Sequence, residues 1–578
     1  MNNITINGKR LSVDSDKTIL QIAMENNIEI PTLCFLSDCN NMNECGVCLV
    51  EIKGQDKLAR ACHEKTKDNM IINTASKKVQ IAVRERISEI LNDHNLECGK
   101  CSRLHSCELL KLVKKTNAKV TNPFKTYNSS DLIDSRSKSI VLDKSKCVKC
   151  GRCVAACKGK SGTEVMHFLK ENNRKIVGPD DLKCFDSTNC LLCGQCVAAC
   201  PVGALYEKSH INRVLDALNN PKKHVLVGIA PSIRTSVGEM FKMGYGIDVT
   251  NKVYSALRHL GFNKVFDVNF AADTTILEEG TELIERIKNN GPFPMFTSCC
   301  PGWIRLAENY YPELLNNISS AKSPQQMFGA ISKSYYPFIE NLDPEDIFTV
   351  SIMPCTAKKF EADRPEMVNN NIKNIDAVLT TRELVKLIQD SNIDFSMLEE
   401  SDVDPVMGEY TGAATIFGAT GGVMEAALRT ATDLLEGVSL EEIDYEATRG
   451  LDGFKEATVN ICDNNYNIAI INGASNFFEF MNNSMLNKKN YHFIEVMACP
   501  GGCVNGGGQP HVDSIVKEDL NIKSLRASVL YNQDKNLPKR KSHKNAAVLK
   551  MYDTFMGKPT KGKAHELLHV TYIPKNID

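Results

Sequence analysis

Nineteen of the 23 cysteines in this chain stand in five groups whose spacing suits shared metal ligation. Four groups are compact: Cys34/Cys45/Cys48/Cys62, His94/Cys98/Cys101/Cys107, Cys147/Cys150/Cys153/Cys157 and Cys190/Cys193/Cys196/Cys200. The fifth, Cys300, Cys355, Cys499 and Cys503, is scattered through the second half of the chain. Thiolates two or three residues apart can close on one centre from a single loop, and C-x2-C-x2-C-x3-C runs are iron–sulfur ligand patterns. A row of such centres passes electrons. The compact groups therefore read as a wire and the dispersed group as its terminus. Disulfides are the other use of so many cysteines, but a reducing compartment and the tightness of the runs argue against them.

The elements that position these residues must belong to several domains, because 578 residues exceed one core. A hydrophobic content of 42% and a net charge of −1 describe an ordinary globular protein. That balance gives no reason to expect nucleic acid or a membrane surface as partner. No apolar run approaches the ~20 residues needed to span a bilayer, and residues 1–10 carry no secretory-type stretch. A cytoplasmic enzyme is expected.

The first compact group follows an alternating segment at residues 4–6 and a capped helix expected over 15–24. Its order, Cys34-x10-Cys45-x2-Cys48-x13-Cys62, resembles a plant-type ferredoxin with a 2Fe–2S cluster, although that family's first gap is shorter. Cys39 sits where the shorter gap would put a ligand. The long-gap form found in N-terminal modules of large redox enzymes favours Cys34, and a zinc site is the other reading. On a helix His94 and Cys98 would be i, i+4 neighbours converging on one metal. Three thiolates and an imidazole suit structural zinc as well as a 4Fe–4S cluster; the position between two cluster modules favours the cluster. A neutral imidazole in place of a thiolate should raise its potential.

The next two groups repeat at an offset of 43 residues, the pattern of a bacterial two-cluster ferredoxin, in which the fourth cysteine of each run ligates the other cluster. One 4Fe–4S cluster is thus assigned to Cys147, Cys150, Cys153 and Cys200, the other to Cys190, Cys193, Cys196 and Cys157. Lys144, Lys146, Lys149, Arg152, Lys158 and Lys160 surround the first run. They form either a solvated face or a docking patch for an acidic electron carrier.

Beyond residue 210 apolar runs alternate with helical segments, which predicts an α/β domain. Strands are expected at 224–230, 294–298, 347–353 and 491–497, and such folds place their sites in the loops at strand carboxyl ends. Those loops hold Cys299 and Cys300, Cys355, and Cys499 and Cys503. Three loops could thereby deliver four thiolates to one cubane.

The segments TSCCPGW (297–303), MPCTAKKFE (353–361) and EVMACPGGCVNGGGQP (495–510) resemble the three signatures of the iron-only (FeFe) hydrogenases. The preceding modules resemble the long, monomeric clostridial type of that family, and residues 543–574 resemble its small subunit, fused. The resemblance implies a multidomain α/β and α+β chain. Its parts would be a plant-type ferredoxin (β-grasp) module at 1–80, a His/Cys3 module at 81–125, a two-4Fe–4S ferredoxin module at 126–210 and an α/β catalytic domain at 211–578.

It further implies reversible reduction of protons to dihydrogen at an H-cluster, with electrons from ferredoxin or flavodoxin entering through the 2Fe–2S or His94 module. The cofactors would be one 2Fe–2S cluster, three accessory 4Fe–4S clusters and the H-cluster. In the latter a cubane on Cys300, Cys355, Cys499 and Cys503 is bridged by Cys503 to a two-iron unit with carbonyl, cyanide and a dithiolate. Ala230, Pro231, Ser232 and Lys358 match cyanide-binding positions, and Gln325, Met353, Pro354 and Met497 other pocket positions. Maturation proteins would install the two-iron unit in an anaerobic cell, and a monomer is expected.

Proton supply falls to Cys299, surplus to the cubane's four thiols and, with an ordinary thiol pKa near ~8.5, suited to proton exchange. Glu279, Glu282 and Arg286 lie along one edge of an expected helix. Periodicity alone reads them as a solvated face; the resemblance makes Cys299, Glu279, Ser319, Glu282 and Arg286 a proton path. Three other classes compete. A complex-I or formate-dehydrogenase-type subunit would need a molybdopterin domain after residue 210. A hydrogenase-like iron–sulfur assembly factor would lack Cys299, Met353, Lys358 and Met497. A hydrogen sensor would alter the proton-path residues. The residues present argue against all three.

Overall fold

The computed structural model describes residues 1–39, 43–121, 132–171, 174–438 and 444–575. At the N-terminus a five-stranded sheet runs in the order Lys9–Val13, Asn2–Ile6, Ile71–Asn73, Leu49–Ile52, Ala59–Arg60. The pair that joins the module's two ends, Asn2–Ile6 with Ile71–Asn73, is parallel. The helix Ile19–Glu25 lies across it, burying Ile19, Leu20 and Ile22 against Ile4, Ile6, Val50 and Ile72. That helix is shorter than the sequence suggests. Its N-cap is Thr18, whose side chain and Gln21 form a capping box, so residues 15–17 stay outside it.

The helix Lys77–Asn92 ends at Asp93, and Cys98–Lys100 forms a separate tight turn. His94 and Cys98 therefore do not share a helix; the chain turns between them. In the ferredoxin module the helices Arg152–Ala156 and Gln195–Ala199 repeat the 43-residue offset, each entered through a glycine, Gly151 at φ 77° and Gly194 at φ 74°. An L side chain rarely adopts that region, and glycine enters it without strain.

The catalytic region is built on two sheets. One is parallel, in the order Lys264–Asp267, His224–Ile229, Ile347–Met353, Ala377–Thr380. The other runs Met295–Phe296, Tyr491–Met497, Asn464–Asn472, Phe454–Ile461, with only the last pair antiparallel. The strand expected at 294–298 is thus reduced to two residues; Thr297 and Ser298 already belong to the loop. The long helix Val268–Lys288 packs on Pro324–Ser332 and Gly422–Glu436. Its middle is buried on all sides, Glu278 and Glu279 included. The C-terminal segment closes the domain: the helix Gly562–Leu568 packs on Pro324–Ser332, and His569 bridges to Ala321. Among the described residues no helix is long and apolar enough to cross a membrane.

Candidate active site

Each sheet offers two strand ends to one cavity. From the parallel sheet come Ala230, Pro231 and Ser232 after His224–Ile229, and Pro354 and Cys355 after Ile347–Met353. From the mixed sheet come Cys299 and Cys300 after Met295–Phe296, and Cys499 and Cys503 after Tyr491–Met497. All of them line a single cavity, together with Gln325, Met353, Lys358 and Met497. Sequence reasoning missed Phe417 and Gly418 in the same wall. The signal was the glycine: a Cβ at Gly418 would lie 2.5 Å from Leu530 and 3.3 Å from the Ser232 Cβ.

The wall is apolar except at two points. Ser232 Oγ is buried without a hydrogen-bond partner among the described residues. Lys358 Nζ donates to Cys299 O (3.1 Å), Ser323 Oγ (2.8 Å) and Glu361 (2.9 Å). Burial opposes its charge, but the Glu361 carboxylate outweighs burial and holds the ammonium above its ordinary value. Gln325 is locked by its amide nitrogen to Glu361 and by its carbonyl to Ser351.

The cavity suits a metal–sulfur group. Burial pushes the Cys355 thiol up to about 12 and Cys499 well above the ordinary thiol range. Such thiols ionise only when a metal offsets the burial. A second void is lined by Cys147, Cys150, Cys153 and Cys200 with Val177, Val202 and Leu205. The fourth thiol there comes from the other run. Cys157 in turn acts electrostatically on Cys190, Cys193 and Cys196. Cys34 and Cys45 form one hydrogen-bonded thiol pair and Cys48 and Cys62 another. Cys39 lies apart from them, packed on Leu36, Ala156 and Ala199. His94 is buried, and burial lowers it to about 4. Its Nδ1 meets Lys146 O at 2.9 Å, which leaves Nε2 of the neutral ring for a metal.

The loops of the last ferredoxin run interlock with the cavity. Thr356 Oγ1 donates to Leu192 O (2.6 Å), and Gln195 donates to Asn505 O (2.9 Å). Arg305 clamps Cys190 O at 2.8 Å and Thr188 O at 3.0 Å. The thiol of Cys193 interacts with that of Cys300, so the wire's last thiols and the terminal group are neighbours. The six basic residues around Cys147 are all engaged. Lys144 pairs with Glu171, Lys146 with Asp143, Lys149 with Asp93, Arg152 with Glu108, Lys158 with Glu164 and Lys160 with Asp38. Arg152 and Lys160 are buried. The patch is charge-compensated, and three of its members, Lys149, Arg152 and Lys160, tie the ferredoxin module to the preceding ones.

On the other side of the cavity a polar line leads outward. Cys299 interacts electrostatically with Glu279, and burial lifts its thiol well above the ordinary range. Its surroundings therefore differ from those of the unperturbed thiol expected from the sequence. Glu279 is fully buried and pushed up to about 8, first by burial and then by Glu282. Its Oε1 accepts from Ser298 N at 3.3 Å, while Oε2 has no partner among the described residues. Ser319 contacts Glu279 and donates to Glu282 at 2.8 Å. Glu282 pairs with Arg286 at 2.6 Å, both partly exposed. Glu279 is thus no solvated face.

Two sheets delivering four thiols to one apolar cavity, with successive cysteine modules leading to it, define an iron–sulfur oxidoreductase with a terminal metal site. Residues 223–507 match the family model "Iron only hydrogenase large subunit, C-terminal domain", and 520–575 match "Iron hydrogenase small subunit". Residues 1–77 match "2Fe-2S iron-sulfur cluster binding domain", 78–118 "Iron hydrogenase 1-like, iron-sulfur centre-binding domain" and 146–204 "4Fe-4S dicluster domain". The chain is 60% identical to iron hydrogenase 1 of Clostridium pasteurianum, covering 99% of this chain and 100% of that protein. It is 42% identical to the NADP-reducing hydrogenase subunit HndD of Solidesulfovibrio fructosivorans, covering 99% of both. An apo FeFe-hydrogenase HydA1 variant from Chlamydomonas reinhardtii superposes with a TM-score of 0.56 at 38% identity. That match covers 64% of this chain and 99% of that one. The chain belongs to the iron-only (FeFe) hydrogenases. It is an oxidoreductase of hydrogen metabolism that works at an H-cluster, with 2Fe–2S and 4Fe–4S modules as its relay.

Proposed function

We propose that this hydrogenase interconverts two protons and two electrons with dihydrogen in the cavity between the two sheets, and that Cys299 is the last proton-bearing group before it. The reading is carried by one observation: a single apolar cavity joins Cys300, Cys355, Cys499 and Cys503 to Cys299, and Cys299 leads to Glu279, Ser319, Glu282 and Arg286. When bound, the H-cluster supplies the redox-active irons at which protons are reduced. Cys300, Cys355, Cys499 and Cys503 hold it; Ser232 Oγ–H and Lys358 Nζ–H are the donors suited to its cyanides; Met353 and Met497 fill the apolar wall. Gln325 keeps Lys358 and Glu361 in register.

Cys299, protonated at rest, gives up its proton to the cavity and is reloaded from Glu279. Glu279, poised near neutrality, takes its proton through Ser319 from Glu282, and Arg286 holds Glu282 at the outer end. In an apolar cavity, a line of positioned proton-bearing groups gives protons a route. Electrons enter through module 1–80 on Cys34, Cys45, Cys48 and Cys62, or module 81–125 on His94, Cys98, Cys101 and Cys107. They cross module 126–210 to the catalytic domain, 211–578. Ferredoxin or flavodoxin is the proposed carrier, the protein a cytoplasmic monomer.

Infrared spectroscopy of the anaerobically matured protein tests the pocket. Carbonyl and cyanide bands that respond to hydrogen, with a cyanide band displaced in Ser232→Ala, are expected. Bands unchanged in Ser232→Ala would remove Ser232 from the pocket's donors.

A further inference from the structure

Two arginines lie at the junctions of the relay, and they are not alike. Arg152 acts electrostatically on Cys34 of the first module and Cys150 of the ferredoxin module, and its charge is paired with Glu108 by two hydrogen bonds, at 2.7 and 2.8 Å, which leave only its Nε without a partner among the described residues. Arg103, at the other junction, interacts electrostatically with the thiols of Cys107 and Cys200. It is 2% exposed. Its Nε and Nη1 have no hydrogen-bond partner among the described residues, and the carboxylate that acts on it most, Glu108, is already bonded to Arg152.

A buried guanidinium with two idle donors is costly, on the order of 1–3 kcal/mol per unsatisfied group. Such a feature calls for an acceptor the protein alone does not provide. The local fold brings one within reach. Residues 101–103 press against Gly203, where a Cβ would lie 2.4 Å from Cys101 Sγ and 3.8 Å from Arg103 Cγ. Gly203 follows Cys200 by three residues, so the glycine lets the loop of one cluster's ligands seat on the loop of another's. His94 makes the same approach from the far side through Lys146, the neighbour of Cys147.

We propose that Arg103 is a tuning residue of the relay: its fixed positive charge and its two free N–H groups face the sulfur of the clusters held by Cys98/Cys101/Cys107/His94 and by Cys147/Cys150/Cys153/Cys200, and stabilise their reduced forms. Reduction adds negative charge to a cluster, and hydrogen bonds and cations near its sulfurs raise its potential. The two inputs to the ferredoxin module then differ in kind. At the Cys34 input the arginine is neutralised by Glu108; at the His94 input it is left to the clusters. The inference rests on the ligand assignment proposed above.

The test is an electron-paramagnetic-resonance redox titration of the iron-loaded protein, with iron content measured alongside. Arg103→Gln removes the charge; Arg103→Lys keeps it. In Arg103→Gln the reduced-to-oxidised ratio of one or both flanking clusters should fall at least tenfold at a fixed potential, a negative shift of ~59 mV for one electron. The 2Fe–2S signal should not move. Arg103→Lys should recover most of that shift. Midpoints of both flanking clusters unchanged in Arg103→Gln would overturn the proposal. So would an equal shift, or equal loss of iron, in Gln and Lys variants, which marks a packing role. A parallel Cys107→Ser variant separates this from the ligand assignment: if Cys107 is no ligand, that variant retains the cluster's signal and iron.

Discussion

In the relay half the cysteines that share a void come from runs a dozen residues long, and their backbone supports them locally. Leu192 N donates to Cys190 Sγ, and Leu110 N donates to Cys107 Sγ, each at 3.4 Å. In the catalytic half the four thiols of one cavity arrive from three strand ends in two sheets, and part of their support comes from far along the chain: Ala498 N reaches Cys300 Sγ at 3.4 Å from 198 residues away. The relay's sites are thus built mostly within one module, whereas the terminal site needs both sheets in place. Proton handling differs as well. In the relay Arg152 and Lys160 pair with carboxylates, whereas Glu279 is left with an idle oxygen in the one region that must move protons.

The sharpest way to break this contrast is Cys299. A serine there keeps the size but not the acidity of the group, and loss of a positioned proton donor typically costs about 10²–10⁴ in rate. Hydrogen evolution by Cys299→Ser should fall by at least ~100-fold with iron content unchanged, since the cubane has its four thiols without it. Wild-type rates would return Cys299 to the status of a packing residue.

Glu279→Gln comes next. The amide keeps the shape and loses the proton, so a loss of about 10² in turnover is expected. The variant also carries a stability signature. The folded-state pKa is raised, from an ordinary 4.5 to about 8. Stability from keeping this group neutral is therefore complete below pH 4.5 and is lost as pH rises through 8. Above that pH the carboxyl costs on the order of several kcal/mol. Glu279→Gln should melt at the wild-type temperature near pH 4.5 and at a higher one at pH 8, by calorimetry of the holoenzyme. Equal melting at pH 8 would mean that Glu279 is solvated.

How far each half could be read beforehand follows from the same contrast. Spacing exposed the two ferredoxin runs, down to Cys200 joining Cys147, Cys150 and Cys153, whereas the Cys34 and His94 groups stayed open between a cluster and zinc until their place beside other modules was weighed. The dispersed thiols were drawn together by the strand–loop pattern that puts Cys300, Cys355, Cys499 and Cys503 at strand ends, and the resemblance of TSCCPGW and its companions then gave them a cofactor. Phe417 and Gly418 stayed hidden because they reach the cavity by packing. So did the burial of Glu279, since a helix enclosed on every face has no amphipathic period to betray which side matters. The turn between His94 and Cys98 escaped as well: i, i+4 spacing fits a helix but does not require one, and Asp93 ends it.

The smallest effect is expected at the far end of the wire. His94 lies at one of two inputs, so altering it should spare most turnover while changing its own cluster. His94→Cys replaces a neutral Nε2 with a thiolate. It also removes the Lys146 contact that orients the ring. One added negative charge should lower that cluster's midpoint by ~59 mV or more, a tenfold shift in its reduced fraction. Hydrogen evolution from a strongly reducing dye should change by less than ~10-fold, because electrons still enter through the Cys34 module. An unmoved midpoint would show that His94 is not a ligand. A collapse of turnover comparable to that of Cys299→Ser would show instead that the two inputs are one, with every electron passing the His94 cluster, and the contrast between a tolerant relay and an exacting terminus would fail at its outermost residue.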